Sequence, residues 1–364
     1  MFLSSSNPHR DSTDSTEVAH DLNGTDRSAR PLDASWVRRV LVIRPNHRLG
    51  NALLLTPLIH ELELRFPDAE IELVTTGPTA HAIFACFDRV TVIHTFPARS
   101  FRNPLGVLRL LASLKRRTYD LAIDPVPRAK GGRYLLGQVR ARRRVGFIWG
   151  VPSRDAMLTD AVAVTALPTQ FARVPVHLLR SSIESGIDKG LRRDTEFVHQ
   201  ALDLRLTDSE QRDGDRRLAA TLGFFQVPPQ PCLGIFAHAT GEKKFPLNWW
   251  RTVIATLRSQ TSALHIIEFL PRGSRARLGE EVPAVYTPGL RLLGATLAAT
   301  SLVVSADCGV MHLADAAGAR VLGLFKTTEP SRYGPSRAKS ESLRASNGCA
   351  NRVAARILEM LGMF

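Results

Sequence analysis

No two of the four cysteines, Cys86, Cys232, Cys308 and Cys349, stand at CxxC spacing, and no histidine partners them at zinc-finger spacing. That excludes a disulfide framework, argues against a structural metal and fits a reducing compartment. No apolar run approaches the ~18–20 residues of a membrane span. The longest uncharged stretch, 218–241, is broken by Gln226, Pro228, Pro229, Gln230 and Pro231. The first residues lack the basic-then-apolar order of a signal peptide, so the expected location is cytoplasmic. A Walker loop, an HExxH pair and a nucleophile-elbow serine are missing too. What the chain does have is apolar material, 44% of 364 residues, enough for the cores of about two domains.

Charge is the second feature. The net charge is +14, yet residues 1–35 hold six acids against Arg10, Arg27 and Arg30. Between Arg99 and Arg144 stand thirteen Lys/Arg against only Asp120 and Asp124. A basic surface invites nucleic acid, but the chain has no zinc finger, no RNP-type aromatic motif and no basic heptad region. The stretch is read as a solvated basic face or a site for an anionic small substrate or lipid head group, and no nucleic-acid partner is expected.

Residues 1–35, rich in Ser, Thr and Asp, cannot offset the entropy of ordering and read as a disordered leader. From Trp36 the text alternates. Val40-Leu41-Val42-Ile43 suits a parallel strand covered on both faces. Leu55, Leu58, Ile59, Leu62 and Phe66 then form one helical stripe. Strands are expected at 71–74, 90–93 and 121–123, with helices at 79–86 and 105–114 between them. The segment 153–226 is less regular and ends in the Pro-rich 227–231, read as a linker. Alternation resumes with strands at 233–236, 265–269, 302–304 and 321–325 and helices at 249–257, from about Arg275, at 310–317 and at 351–361. The fold class is α/β: a first lobe over 36–226 and a second over 232–345, both doubly wound, followed by a C-terminal helix in 346–364. Ligands in such folds sit at the carboxyl ends of the strands, here a cleft between lobes.

Two strand ends in the second lobe suit anions. Asp307-Cys308-Gly309 lies between a strand and a helix, whose N-terminus favours a phosphate, with His312 on the first turn. Lys243 and Lys244 follow the strand at 233–236 as compact point charges suited to a pyrophosphate. In the first lobe, Asp124 follows a strand and His47 lies in the first loop; Trp249 and Trp250 read as helix packing.

Three segments together carry a family resemblance. Residues 48–57, RLGNALLLTP, resemble the opening loop and helix of the ADP-heptose:lipopolysaccharide heptosyltransferases, glycosyltransferase family 9. Lys243-Lys244-Phe245-Pro246 is similar to that family's Lys-x-aromatic-Pro motif. Asp307-Cys308-Gly309-Val310-Met311-His312-Leu313-Ala314 resembles its Asp-Thr/Ser-Gly-x-x-His-x-Ala signature, which Gly318 and Phe325 continue. The resemblance runs from about Val40 to Pro335 and implies a GT-B fold, an N-terminal acceptor lobe and a C-terminal nucleotide-sugar lobe. It implies inverting, metal-independent transfer from an ADP-heptose-like donor to a lipid-linked anionic glycan of the lipopolysaccharide core, with peripheral contact at the inner face of the inner membrane and no cofactor.

On that resemblance Lys243, Lys244, Asp307, Cys308, Gly309 and His312 would hold the donor, and Arg48 with Arg142, Arg143 and Arg144 the acceptor. The family's usual acid falls at Asn51, an amide that cannot take a proton. Cys308 replaces the usual hydroxyl residue, and Lys326 stands where glycine is common. Asp124, expected ionised and facing the cleft, and His47 are the candidates for the missing base. The alternative is a pseudoenzyme that holds a nucleotide sugar or glycan without turnover.

Overall fold

The first strand, β1 (Arg39–Ile43), is fully covered after Arg39. Its alternate residues enter two different cores: Val40 and Val42 pack with the helix Thr56–Arg65, while Leu41 and Ile43 meet Leu110, Leu114, Leu135 and Leu136. This two-sided burial is what the apolar run requires. In the computed structural model, which describes residues 36–98, 102–165, 167–184, 200–226 and 230–363, the same plan is built twice. The leader 1–35 and linker residues 227–229 lie outside the described residues.

After β1 come β2 (Glu70–Thr75), β3 (Val90–Thr95), β4 (Thr118–Asp124), β5 (Arg140–Phe147) and β6 (Asp160–Val162). They form a sheet in the order β3-β2-β1-β4-β5-β6 with every described pair parallel. The second lobe holds β7 (Cys232–Phe236), β8 (His265–Leu270), β9 (Ala284–Tyr286), β10 (Leu302–Ala306), β11 (Val321–Phe325) and β12 (Glu341–Arg344). Its order, β12-β11-β10-β7-β8-β9, is the same pattern. Strand order reverses between β1 and β4 in one lobe and between β7 and β10 in the other, and such points open ligand crevices at the carboxyl ends of the strands. The doubly wound two-lobed reading stands.

Several local expectations change. The stretch 200–226, assigned by sequence to the first lobe, bridges to the second: Asp203 and Arg205 still bond to Thr56 and Glu63 of the first lobe, but the helix Asp208–Leu222 packs on the helix Leu290–Ala298, and Arg217 Nη2 donates to the Tyr286 carbonyl at 2.8 Å. Gly214 allows this, since a Cβ there would lie 2.4 Å from the Ala295 carbonyl carbon. No helix starts at Arg275. The buried carboxylate of Glu268 instead takes the backbone N–H groups of Arg277 and Leu278 at 2.8 and 3.0 Å, holding that segment as a loop. The lobes share one apolar core, in which Leu53, Leu58 and Leu204 join Leu297, Met311 and Phe325. No helix among the described residues is long and apolar enough to cross a membrane.

Candidate active site

The loop after β1 is organised by Asn46. Its Oδ1 accepts from the Arg48 N–H at 2.8 Å and from Asn51 Nδ2 at 3.0 Å. That uses one of the two N–H donors of the Asn51 amide, whose carbonyl oxygen could accept from a substrate. His47 and Arg48 are exposed on the same loop. The helix Leu49–Leu53 then abuts the helix Gly309–Ala316 of the other lobe.

This seam is a reciprocal fit. A Cβ on Gly50 would lie 2.9 Å from His312 Cδ2, and a Cβ on Gly309 would lie 2.9 Å from Leu49 Cβ. Each glycine thus makes room for a side chain of the opposite lobe, and the short helix bearing Asn51 is seated directly on the Asp307–His312 turn. Gly50→Ala must push that helix away, because the buried His312 ring has little room to yield. Overpacking of this kind costs about 1–3 kcal/mol, and misplacing reacting groups by an ångström costs about 10²-fold. We therefore expect a clear fall in both melting temperature and kcat/KM. Parental kinetics in Gly50→Ala would show that the seam does not set the geometry of the site.

In the second lobe, Asp307 is buried just past the end of β10. Its Oδ2 accepts from Lys243 Nζ at 2.5 Å and from Thr328 Oγ1 at 2.6 Å. His312 Nε2 stands 3.9 Å from Asp307 Oδ1, and its Nδ1 is buried without a hydrogen-bond partner. Burial pushes the His312 pKa down to about 4, the Asp307 carboxylate opposing and Lys243 adding to the fall. The ring is therefore neutral at pH 7. Cys308 is the N-cap residue without a side-chain cap, and its Sγ lies 3.3 Å from Ser305 Oγ. Burial raises its pKa, so it is a neutral thiol at pH 7. The N-terminus of the helix Gly309–Ala316, one lysine and a neutral imidazole thus converge here, an arrangement whose chemistry suits an anionic ligand.

Lys244 is exposed, and Lys326 Nζ reaches its carbonyl at 3.4 Å. Phe245 is core: it stacks on Trp249 at 4.3 Å between centroids, and Trp250 is buried beside them. Sequence reasoning missed Thr328 and His238. The second lies just past β7, with Nε2 3.0 Å from Glu268 Oε1, and burial lowers its pKa. Position after a strand was the only signal for His238, and Thr328 had none.

Two first-lobe expectations are corrected. Asp124 does not face the cleft as a free carboxylate. It is fully buried, with Oδ2 3.2 Å from Arg133 Nε and Oδ1 unpartnered against Gly132. Burial raises its pKa to about 7, against the pull of Arg133 and Arg44. Arg142, Arg143 and Arg144 do not join the site either. Arg142 lies 3.6 Å from Asp120, which takes the backbone N–H groups of Arg38 and Arg39 at the opposite end of the sheet. Arg143 is buried in an ion pair with Asp160, and Arg144 Nε donates to the Met157 carbonyl at 2.8 Å. Cations near the carboxyl ends of β1 and β4 include Arg44, Arg48, Arg128 and Lys130 beside the buried Arg133. Arg128 is exposed and takes a left-handed φ of 56°. Among the described residues no three His, Cys, Asp or Glu side chains gather as metal ligands.

A family model described as glycosyltransferase family 9 (heptosyltransferase) matches residues 172–359. No curated protein matches the sequence. Among solved structures, a glycosyl transferase family 9 protein from Veillonella parvula superposes with a TM-score of 0.70 at 15% identity, covering 92% of this chain and 91% of that one. The E. coli heptosyltransferase WaaC, solved with ADP, gives 0.67 at 20% identity over 88% of this chain and 99% of its own. The E. coli ADP-heptose lps heptosyltransferase II gives 0.64 at 18% identity over 89% and 98%. At these identities the superpositions speak for the GT-B fold.

Proposed function

Because the chain belongs to glycosyltransferase family 9, the heptosyltransferase family, we propose that it transfers a heptose-like sugar from an ADP-linked donor to an anionic, lipid-linked glycan of the lipopolysaccharide-core type. The second lobe binds the donor, the first binds the acceptor, and the reaction inverts the anomeric centre without a metal. The observation that carries this reading is the Lys243–Asp307–Thr328 cluster beside neutral His312, seated against the short helix that bears Asn51. The ADP bound by the E. coli relative supports the choice of donor nucleotide.

The acceptor hydroxyl oxygen forms a bond to the anomeric carbon as the bond to the diphosphate oxygen breaks, and the electron pair leaves with the nucleoside diphosphate. Lys243 and the N–H groups opening the helix Gly309–Ala316 stabilise the charge that develops there. Asn51 accepts from and orients the hydroxyl. His47, exposed in the preceding loop, takes the proton in place of buried Asp124. Arg48, Arg128 and Lys130 supply positive charge on the acceptor side, with the reaction set at the inner face of the membrane.

Lys243→Ala is expected to weaken ADP binding by about 1.5–3 kcal/mol, the worth of a charge-assisted contact, and to lower the melting temperature, because the buried Asp307 carboxylate loses its cation. Calorimetry with ADP measures it, and an unaltered affinity removes Lys243 from the site. The amide at Asn51 favours one other reading, a binder without turnover. Mass analysis of lipopolysaccharide-core acceptors incubated with ADP-heptose separates the two: a heptose added supports transfer, and tight donor binding with no product supports the binder.

A further inference from the structure

The helix Pro104–Lys115 of the first lobe hides little of its own apolar surface. Only Leu110 and Leu114 are buried, whereas Leu105 is 64% and Leu108 60% exposed. The two exposed leucines are three residues apart, on one stripe continued by exposed Ala112. The helix is well anchored at its start, where Asn103 Oδ1 accepts the Gly106 N–H at 2.8 Å. It lies beside the helix Lys130–Gln138, which presents exposed Tyr134 and Lys130. Exposed Arg109, Lys115 and Arg116 flank the leucines.

Charge selects the occupant. From 102 to 141 the only carboxylates are Asp120 and Asp124. Asp120 is engaged at the far end of the sheet by Arg38, Arg39 and Arg142, and Asp124 is buried against Arg133. Glu72 of β2 pairs with Arg117, but among the described residues Arg109, Lys115, Arg116 and Lys130 enter no ion pair, so the two helices present apolar side chains within positive charge. A second copy of the same face would be repelled, whereas an anionic bilayer satisfies both features, lipid tails taking the leucines and head groups the cations.

We infer that the face formed by Leu105, Leu108, Arg109, Lys115, Arg116 and Tyr134 docks this protein on an anionic lipid surface. Since β3 ends at the carboxyl edge of the sheet, the helix that follows it starts there, so Leu105 and Leu108 lie at its cleft end. Docking would thus bring the head-group layer towards the mouth of the site. The inference rests on the proposed lipid-linked acceptor for its purpose, but its test needs neither donor nor transfer.

The test is flotation of the full chain with vesicles of equal phosphatidylcholine and phosphatidylglycerol, and with phosphatidylcholine alone, at low salt. Binding is expected only to the anionic vesicles. Leu105→Glu/Leu108→Glu and Arg109→Glu/Lys115→Glu should each weaken it by about tenfold or more, with ADP affinity and melting temperature unchanged. Leu64→Glu, at another exposed leucine, and Arg272→Glu/Arg275→Glu in the second lobe should bind nearly as the parent does. No binding to anionic vesicles overturns the inference. So does equal loss in the second-lobe charge reversal, which would mean unspecific adsorption of a basic protein. Concentration-dependent dimerisation abolished by the leucine pair would overturn it in favour of a second copy. Failure of transfer with vesicle binding intact would count against the proposed reaction alone.

Discussion

Replacing His47 with alanine is expected to lower the rate of sugar transfer by about 10²–10⁴-fold, the usual worth of a positioned base, while donor affinity stays at the parental value. Inverting transfer releases a proton from the acceptor hydroxyl, and few first-lobe groups can receive it. Asn51 has no basic atom, and one N–H of its amide is given to Asn46. Asp124 has no exposed surface and is clamped by Arg133. His47 is exposed on the loop that His312 and Gly309 hold in place through Gly50 and Leu49. Because it is exposed, its removal should leave the melting temperature nearly unchanged, as surface substitutions generally do. The check is single-turnover transfer with His47→Ala, Asn51→Asp and Asp124→Asn side by side. Full activity in His47→Ala would sink the assignment. A faster Asn51→Asp variant beside a His47→Ala variant of parental activity would mean that the natural amide attenuates a reaction for which the loop carries no base.

The parts of this molecule legible in the sequence are those whose pattern is set by local burial. The run Val40–Ile43 could only be a covered strand, and the turn Asp307–Gly309 sits between a strand and a helix because that strand ends in polar residues and a glycine follows. Strand β5 was hidden by its arginines. The pairing that lets Arg143 be buried comes from Asp160, a residue no periodicity connects with it. The helix Asp208–Leu222 announced its start with the capping box of Thr207 and Glu210, yet its charged text masked the short buried stripe of Gly214, Leu218 and Ala219. Asp124 was misjudged for the same reason as Arg143: whether a carboxylate after a strand faces solvent depends on what closes over it. Here that is the helix beginning at Lys130, whose Gly132 leaves room for the Asp124 carboxyl and whose Arg133 is buried against it. Long-range ion pairs were the illegible part, and they decide which charges are free to act.

Arg133→Met is the substitution expected to cost most stability, about 3–5 kcal/mol near neutral pH, the usual consequence of breaking a buried ion pair from one side. The fully buried guanidinium reaches Asp124 at 3.2 Å, Asp155 and the Arg154 carbonyl at 3.3 Å and the Phe147 carbonyl at 2.6 Å, and it lies 4.6 Å over the Trp149 ring. The loss should depend on pH in a defined sense. With its pKa raised by burial to about 7, Asp124 keeps a proton in the folded chain that the unfolded chain has already released above its ordinary 3.8. Stability from this group is full below 3.8, falls as pH rises to about 7 and is flat above. Without Arg133 the carboxyl rises further, so in Arg133→Met the fall should continue to higher pH and the gap to the parent should widen between about pH 7 and 8.5. His312, lowered to about 4, acts in the opposite sense: its contribution is full above its ordinary 6.5 and lost as pH falls towards 4, so it is silent in that window. Asp124→Asn/Arg133→Met removes the titrating group, and its melting temperature should stay level where that of Arg133→Met declines. Parallel melting curves for the single and double variants across this range would show that Asp124 does not hold the proton assigned to it. A parental melting temperature in Arg133→Met would show that the buried pair contributes nothing to the first lobe.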